Sequence, residues 1–173
     1  RGRDGLPVEG WRRIGEEGQG FIYQMLQFQK ERLVGAAMAY SGAERMIRMT
    51  IEYCRQRKTF GQPLIANQWI YFKLSELLTE VELLRQMCYH CTRKLSAGED
   101  FTREASMAKL KAGRLVREIA DTCLQFHGGF GFASEYDVER KFRETRLYQV
   151  APISTNLILS YIAEHVLGLP RSF

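Results

Sequence analysis

From Gln19 to about Arg57, apolar residues return every three or four positions, and no strand-like alternation of useful length occurs anywhere in the chain. The spacing puts Ile22, Met25, Leu26, Leu33, Ala37, Met46, Met49 and Tyr53 near one stripe of a long amphipathic helix. The small residues Gly35, Ala36, Ala37, Ala39, Ser41, Gly42 and Ala43 would let another helix approach closely. Gly61-Gln62-Pro63 breaks the pattern, since proline lacks the N–H that a helix interior requires. A second helix is expected from about Asn67 to Ala97, with Leu74, Leu77, Leu78, Val81, Leu84, Cys88 and Cys91 facing a core and Gly98 as its cap. A third is expected from about Thr102 to Phe126, with Met107, Leu110, Leu115, Ile119, Ala120 and Cys123 inward and Gly128-Gly129-Phe130-Gly131 as its end. A short helix from about Tyr136 to Thr145 follows, then a last one from about Ile153 to Leu167 that stops at Gly168-Leu169-Pro170. Long helices with short connections predict an all-α fold, an up-and-down four-helix bundle with an extra short helix. Residues 20–173 are assigned to this bundle, and residues 1–19, glycine-rich and without a period, to an irregular lead-in.

At 173 residues, 45% hydrophobic and 26% charged, the chain suits one globular domain with a sizeable core. The net charge of +5 comes from 25 basic and 20 acidic residues spread along the chain, so nucleic-acid binding is not indicated. The densest basic cluster, Arg55-Gln56-Arg57-Lys58, fits either a helix C-terminus satisfying its dipole or a site for an anionic ligand. The four cysteines are Cys54, Cys88, Cys91 and Cys123. Cys88 and Cys91 lie inside a helical pattern with no second pair, as expected of buried thiols in a reducing compartment. His90 and His165 fall in helical patterns, His127 lies in the glycine-rich loop segment, and no pair has metal-ligand spacing. No apolar run approaches the roughly 20 residues of a membrane span. The polar opening Arg1-Gly2-Arg3-Asp4-Gly5 is neither a signal nor a transit peptide, and suggests a piece of a longer protein.

Phe28-Gln29-Lys30-Glu31-Arg32-Leu33-Val34 puts one carboxylate into the first helix. Beside apolar surface such a group can serve as a proton acceptor. The plainer reading is a surface acid paired with Lys30 or Arg32. Two later segments add weight, Arg57-Lys58-Thr59-Phe60-Gly61 and Gln125-Phe126-His127-Gly128-Gly129-Phe130-Gly131. Gln68 follows the first of them at a fixed distance, and Glu135-Tyr136-Asp137-Val138-Glu139-Arg140 and Arg143-Glu144 follow the second. In this order and spacing the segments resemble the C-terminal domain of an acyl-CoA dehydrogenase over nearly the whole chain. Gly15-Glu16-Glu17-Gly18-Gln19-Gly20-Phe21 resembles the exit from that family's middle β domain, so residues 1–19 would be its tail end or linker.

The resemblance implies that Arg57, Thr59, Phe60, Gln125, Gly128 and Gly129 bind the FAD of a neighbouring subunit, with further contacts from Gln68, Ser154 and Asn156. The residue types suit that task. Arg57 can grip a pyrophosphate bidentately, Thr59 offers a hydroxyl, Phe60 an apolar plate, and the glycines let backbone approach a ligand without Cβ interference. The implied reaction is α,β-dehydrogenation of an acyl-CoA thioester. Most of the family carries its base on the last helix, in a Y-E-G-T/S stretch. The matching stretch here is Val150-Ala151-Pro152-Ile153-Ser154, which puts Pro152 at the base position. A minority, the long-chain and isovaleryl enzymes, carries the base on the first helix in an E-R-L pattern, matched here by Glu31-Arg32-Leu33. Neighbouring helix positions point about 100° apart, so Arg32 need not neutralise Glu31. Glu31 is thus the expected base, and Phe28, Arg32 and Pro152 the expected substrate contacts.

One departure stands out. In the family the N–H at the Pro152 position donates to the thioester oxygen, and proline has none, unless the register slips by one and Ile153 supplies it. Ile153 also replaces the usual glycine and would crowd the acyl entrance. The resemblance further implies a homotetramer built as a dimer of dimers, reoxidation by electron-transfer flavoprotein, and a mitochondrial matrix location in a eukaryote or a cytoplasmic one otherwise. An acyl-CoA oxidase-like enzyme and a catalytically degenerate helical assembly domain are the alternatives. Because further domains would supply much of the cofactor and substrate surface, the isolated chain is expected to fold as a bundle but to hold FAD poorly and to be inactive.

Overall fold

A computed structural model describes residues 9–171, so the lead-in expected over residues 1–19 is seen only from Glu9 onward, and residues 1–8 lie outside the described residues. Three long helices form the frame: α1 (Gly20–Gln56), α2 (Gln68–Ser96) and α3 (Thr102–His127). Between α1 and α2 runs a two-residue-per-strand antiparallel hairpin, β1 (Lys58–Thr59) and β2 (Gln62–Pro63), with Lys58 opposite Pro63 and Thr59 opposite Gln62. After α3 a 3-10 turn (Gly128–Phe132) leads to the short helices α4 (Val138–Glu144), α5 (Leu147–Val150) and α6 (Thr155–Tyr161). A π turn, Ile162–Val166, follows α6. The fourth leg of the bundle is therefore segmented. The single helix expected from Ile153 to Leu167 begins only at Thr155, because Ser154 is extended as the N-cap and its Oγ accepts the Leu157 N–H at 3.4 Å.

α3 is the central helix, since 14 of its 26 residues are buried against eight of 37 in α1 and seven of 29 in α2. Its largest interface is with α1. There the expected small residues do their part, with Ala36, Ala39 and Ala43 of α1 and Ala105, Ala108 and Ala112 of α3 all buried. Next to them Met46, Ile47, Leu115, Val116 and Ile119 fill the space between the frames. The α2 stripe of Leu74, Leu77, Val81, Leu84, Cys88 and Cys91 closes the core, while Leu78 is turned outward. α2 ends as its glycine foretells: Gly98 has φ +73, its N–H donates to Leu95 O and the Glu99 N–H to Lys94 O, the paired bonds of a Schellman motif.

The first turns of α1 depart from expectation. Ile22, Met25 and Leu26 share the expected stripe but are exposed, and the first buried residue is Leu33. The reason is length. Thirteen residues at 1.5 Å each put the start of α1 about 20 Å before Leu33, and residues 20–27 are all exposed, with only Phe28, Gln29, Glu31 and Arg32 half-buried where the helix reaches the bundle. All four cysteines are buried and unbridged, as expected, and burial pushes the thiols of Cys54, Cys88 and Cys91 up to about 11 and that of Cys123 to about 12. Among the described residues no helix is long and apolar enough to cross a membrane, and no group of His, Cys, Asp or Glu could hold a metal ion.

Candidate functional site

The sequence-marked residues collect in two places. The first is a cavity of about 670 Å³ where the C-terminal end of α1, the start of α2 and the end of α3 meet. Arg57, Thr59, Gln125, Gly128 and Gly129 all line it, brought together from positions some 70 residues apart. Each comes from a local cause. Arg57 is the C-cap of α1, its N–H bonded to Tyr53 O at 2.8 Å, so its side chain leaves the helix at the cavity rim. Thr59 sits on the hairpin, which Leu64 N closes onto Arg57 O at 2.8 Å. Gln125 is on the last turn of α3, and the turn beyond it begins at Gly128 with φ +58 and ψ −136, backbone that only glycine adopts without strain.

The glycines of this turn have different jobs. A Cβ on Gly131 would lie 2.8 Å from Leu124 O, so its glycine is a packing requirement. A Cβ on Gly129 would meet nothing within 4 Å and the residue has no positive φ, yet it faces the cavity. The fold does not need glycine there.

Apolar walls complete the cavity. Trp69 packs edge-on against Phe126, with centroids 5.1 Å apart, and the Arg57 guanidinium lies 5.5 Å from the centre of the Phe130 ring. One guanidinium, a hydroxyl, side-chain amides, glycine backbone and aromatic plates suit an anionic ligand with a ring system. Phe60 is the tip of the hairpin, fully exposed, with the unusual φ of +50 for a bulky residue. It borders a smaller cavity of about 180 Å³ that shares Thr59 and Asn67 with the first. Gln68 opens α2 on the surface between two lining residues, Asn67 and Trp69. Ser154 and Asn156 belong to α6, away from this lining, with Ser154 engaged as its cap. Sequence reasoning missed Tyr53, Trp69, Phe126 and His127 as lining residues. For His127 the chain offered only a histidine in a loop-like motif, whereas it is buried, its ring stacked on Tyr53 at 4.2 Å.

The second place is the point where α1 leaves the bundle. Glu31 is half-buried there, two residues before the first buried side chain, and pairs with neither neighbour. Lys30 is exposed. Arg32 turns to α3 and α6 instead, donating to Ser106 Oγ at 3.1 Å with its guanidinium 6.0 Å from the Tyr161 ring centre. Its Nε is buried without a hydrogen-bond partner, and burial lowers the guanidinium below its ordinary range. One turn along α1 from Glu31, the Lys109 side chain lies against Gly35, 3.8 Å from where a Cβ would be. Lys109 is 1% exposed, donates to Tyr148 O, and is brought down to about 8 by burial, with Arg32 adding to the effect. A Cβ on Gly113 would lie 2.7 Å from that same Tyr148 carbonyl. These contacts dock α5 on α3 and fix where the half-buried Ala151-Pro152-Ile153 segment begins. Phe28 is half-buried on the overhanging part of α1.

Comparison with known proteins agrees with the motifs. The sequence model described as "Acyl-CoA dehydrogenase, C-terminal domain" matches residues 18–167. An acyl-CoA dehydrogenase of Bacillus subtilis is 34% identical over 155 residues, which are 90% of this chain and 41% of that protein. The long-chain specific mitochondrial acyl-CoA dehydrogenase of Mus musculus is 33% identical over 160 residues, 90% of this chain and 36% of its own. Among solved structures, butyryl-CoA dehydrogenase from Megasphaera elsdenii superposes with a TM-score of 0.84 at 32% identity, over 88% of this chain and 40% of that one. The chain thus spans well under half the length of the relatives it matches. Members of that family are flavoproteins. With its bundle, its motifs and the match over residues 18–167 in agreement, this chain belongs to the acyl-CoA dehydrogenase family, as a C-terminal domain.

Proposed function

We propose that this chain is the FAD-binding and base-carrying C-terminal domain of an enzyme that dehydrogenates an acyl-CoA thioester between its α and β carbons. One observation carries the reading: Arg57, Thr59, Gln125, Gly128 and Gly129 line one cavity, and at Gly129 the missing Cβ leaves space that the fold itself does not use. Arg57 would bind the pyrophosphate, Thr59 and Gln125 would hydrogen-bond the polar parts, and Trp69, Phe126 and Phe130 would cover the apolar ones. The exposed, strained Phe60 supports the same reading, because a bulky residue held at positive φ persists where function uses it. When bound, FAD supplies the acceptor for the β hydrogen as hydride. Glu31 removes the α proton, free of the ion pair with Lys30 or Arg32 that would quench it. Phe28, Arg32 and Pro152 would border the acyl group.

Distance separates the two functions within one chain. From Glu31 to Arg57 is 26 residues of continuous helix, about 39 Å at 1.5 Å per residue. No single dinucleotide spans that, so the base and the cofactor grip of one copy serve two different cofactors. This supports a homo-oligomer, a dimer of dimers, in which each cofactor is shared between copies. Electron-transfer flavoprotein would be the electron acceptor, in the mitochondrial matrix of a eukaryote or the cytoplasm of a bacterium.

Pro152 favours a second reading, a catalytically silent assembly domain, because it lacks the N–H expected to polarise the thioester. Titration of the intact protein with acyl-CoAs of increasing length separates the two. Flavin absorbance that bleaches and gains a charge-transfer band supports the dehydrogenase. An intact protein without flavin absorbance, or with flavin indifferent to every acyl-CoA, supports the silent domain. Direct reoxidation by oxygen during turnover would assign an oxidase instead.

A further inference from the structure

Tyr53 is joined to both halves of the cavity's anion grip, and by different atoms. Its backbone carbonyl accepts the N–H of Arg57 at 2.8 Å, ending α1 at the cavity rim. Its hydroxyl donates to the carbonyl of His127 at 3.1 Å, across 74 positions of sequence. That carbonyl belongs to the last residue of α3, one of the terminal acceptors that a helix leaves without an internal partner. The next residue is Gly128, where the chain swings into positive φ and along the cavity. The bond therefore fixes the turn at its root.

The ring makes the link rigid. Tyr53 stacks on His127 with centroids 4.2 Å apart and planes 19° from parallel. His127 Nδ1 lies 2.7 Å from Cys123 O, so the ring is anchored one turn back on α3 and its Nδ1 carries the proton. Burial lowers the imidazole below its ordinary range, in keeping with a neutral ring. Tyr136 closes the group edge-on, 5.6 Å from the Tyr53 ring and 5.9 Å from that of His127. Tyr53 and His127 also line a second cavity of about 310 Å³, bounded by Gln56 and Tyr136, so the stacked pair is a partition between two open spaces.

We propose that Tyr53 is a positioning residue for the dinucleotide, its hydroxyl holding the Gly128-Gly129 turn in the register that Arg57 requires. The assignment rests on the FAD reading of this cavity. Tyr53→Phe removes only the hydroxyl and keeps the stack and the backbone bond. In apoprotein prepared from the intact flavoprotein, FAD titration by fluorescence quenching should show binding weakened about 5- to 10-fold, the worth of one net hydrogen bond. Amide hydrogen exchange should quicken across residues 127–130 of the variant apoprotein and stay unchanged in α2, a local signature that general destabilisation does not produce. Unaltered FAD affinity in Tyr53→Phe, beside a parent that binds FAD, overturns this inference alone. A parent apoprotein that takes up no FAD overturns the cofactor reading and this inference together. Should the variant fail to fold, exchange in the parent decides: FAD must slow residues 127–130, and exchange there indifferent to FAD overturns the assignment.

Discussion

Lys109 is the most exacting test of the packing described above. It is 1% exposed, its amine meets only the Tyr148 carbonyl, and the nearest charge acting on it is another cation, Arg32. In the unfolded chain the amine titrates near 10.5, and in the folded chain burial brings it down to about 8. Between those values the unfolded chain keeps a proton that the folded chain has shed, so this group makes stability rise with pH across the window. The whole displacement corresponds to about 3.4 kcal/mol at 1.36 kcal/mol per unit, of which about 2 kcal/mol falls between pH 7 and pH 9.5. The cysteines work in the opposite direction. Their thiols are held up at about 11 to 12 when folded, so stability falls as pH rises above 9.0, where the unfolded thiols ionise.

The variant Lys109→Met cancels that background, because it keeps every cysteine. Its loss of the donor to Tyr148 O adds a pH-independent cost of about 1–3 kcal/mol. Urea unfolding of parent and variant under reducing conditions, followed by far-UV circular dichroism from pH 7 to pH 9.5, measures the difference. The parent should gain about 2 kcal/mol on the variant across that range. A separation between the two that stays constant with pH would refute the reasoning, and with it the burial of the amine.

Two glycines of one turn should respond in opposite ways. Gly131→Ala forces a Cβ to 2.8 Å from Leu124 O and should cost about 1–3 kcal/mol in urea unfolding. Gly129→Ala meets nothing within 4 Å and should change stability by no more than about 0.5 kcal/mol, while weakening FAD binding in the intact protein. Phe60→Asn relieves positive φ at a fully exposed ring and should raise the unfolding free energy by about 1 kcal/mol, again with weaker FAD binding. Gel filtration of the isolated chain with added FAD should return apoprotein, since part of the cofactor's surface would come from elsewhere; stoichiometric flavin in the eluted peak would contradict that.

The helical frame was legible because a 3.6-residue period marks a burying face wherever it runs for several turns. Leu74 to Cys91 on α2, Leu78 apart, and Leu115 to Cys123 on α3 lie where that period put them. The period says that a face is apolar, not what covers it, so Ile22, Met25 and Leu26 were expected inward although the bundle ends at Leu33. Leu147–Val150 is one turn long and carries no period, and the two-residue strands of the hairpin are shorter than any alternation. In the candidate site, Arg57, Thr59, Gln125, Gly128 and Gly129 were legible through the family resemblance of the two motifs that carry them, and the fold brings all five to one cavity. Tyr53 and His127 were not. Their significance is a stack and a bond between residues 74 positions apart, and nothing local to either one announces a partner on another helix.

The central claim is that Glu31 carries the proton. Glu31→Gln in the intact enzyme preserves size and hydrogen-bonding capacity and removes only the basicity. Turnover with its best acyl-CoA should fall by about 10²- to 10⁴-fold while flavin content and acyl-CoA affinity hold. A variant that retains parental turnover would contradict the account and return Glu31 to the helix surface.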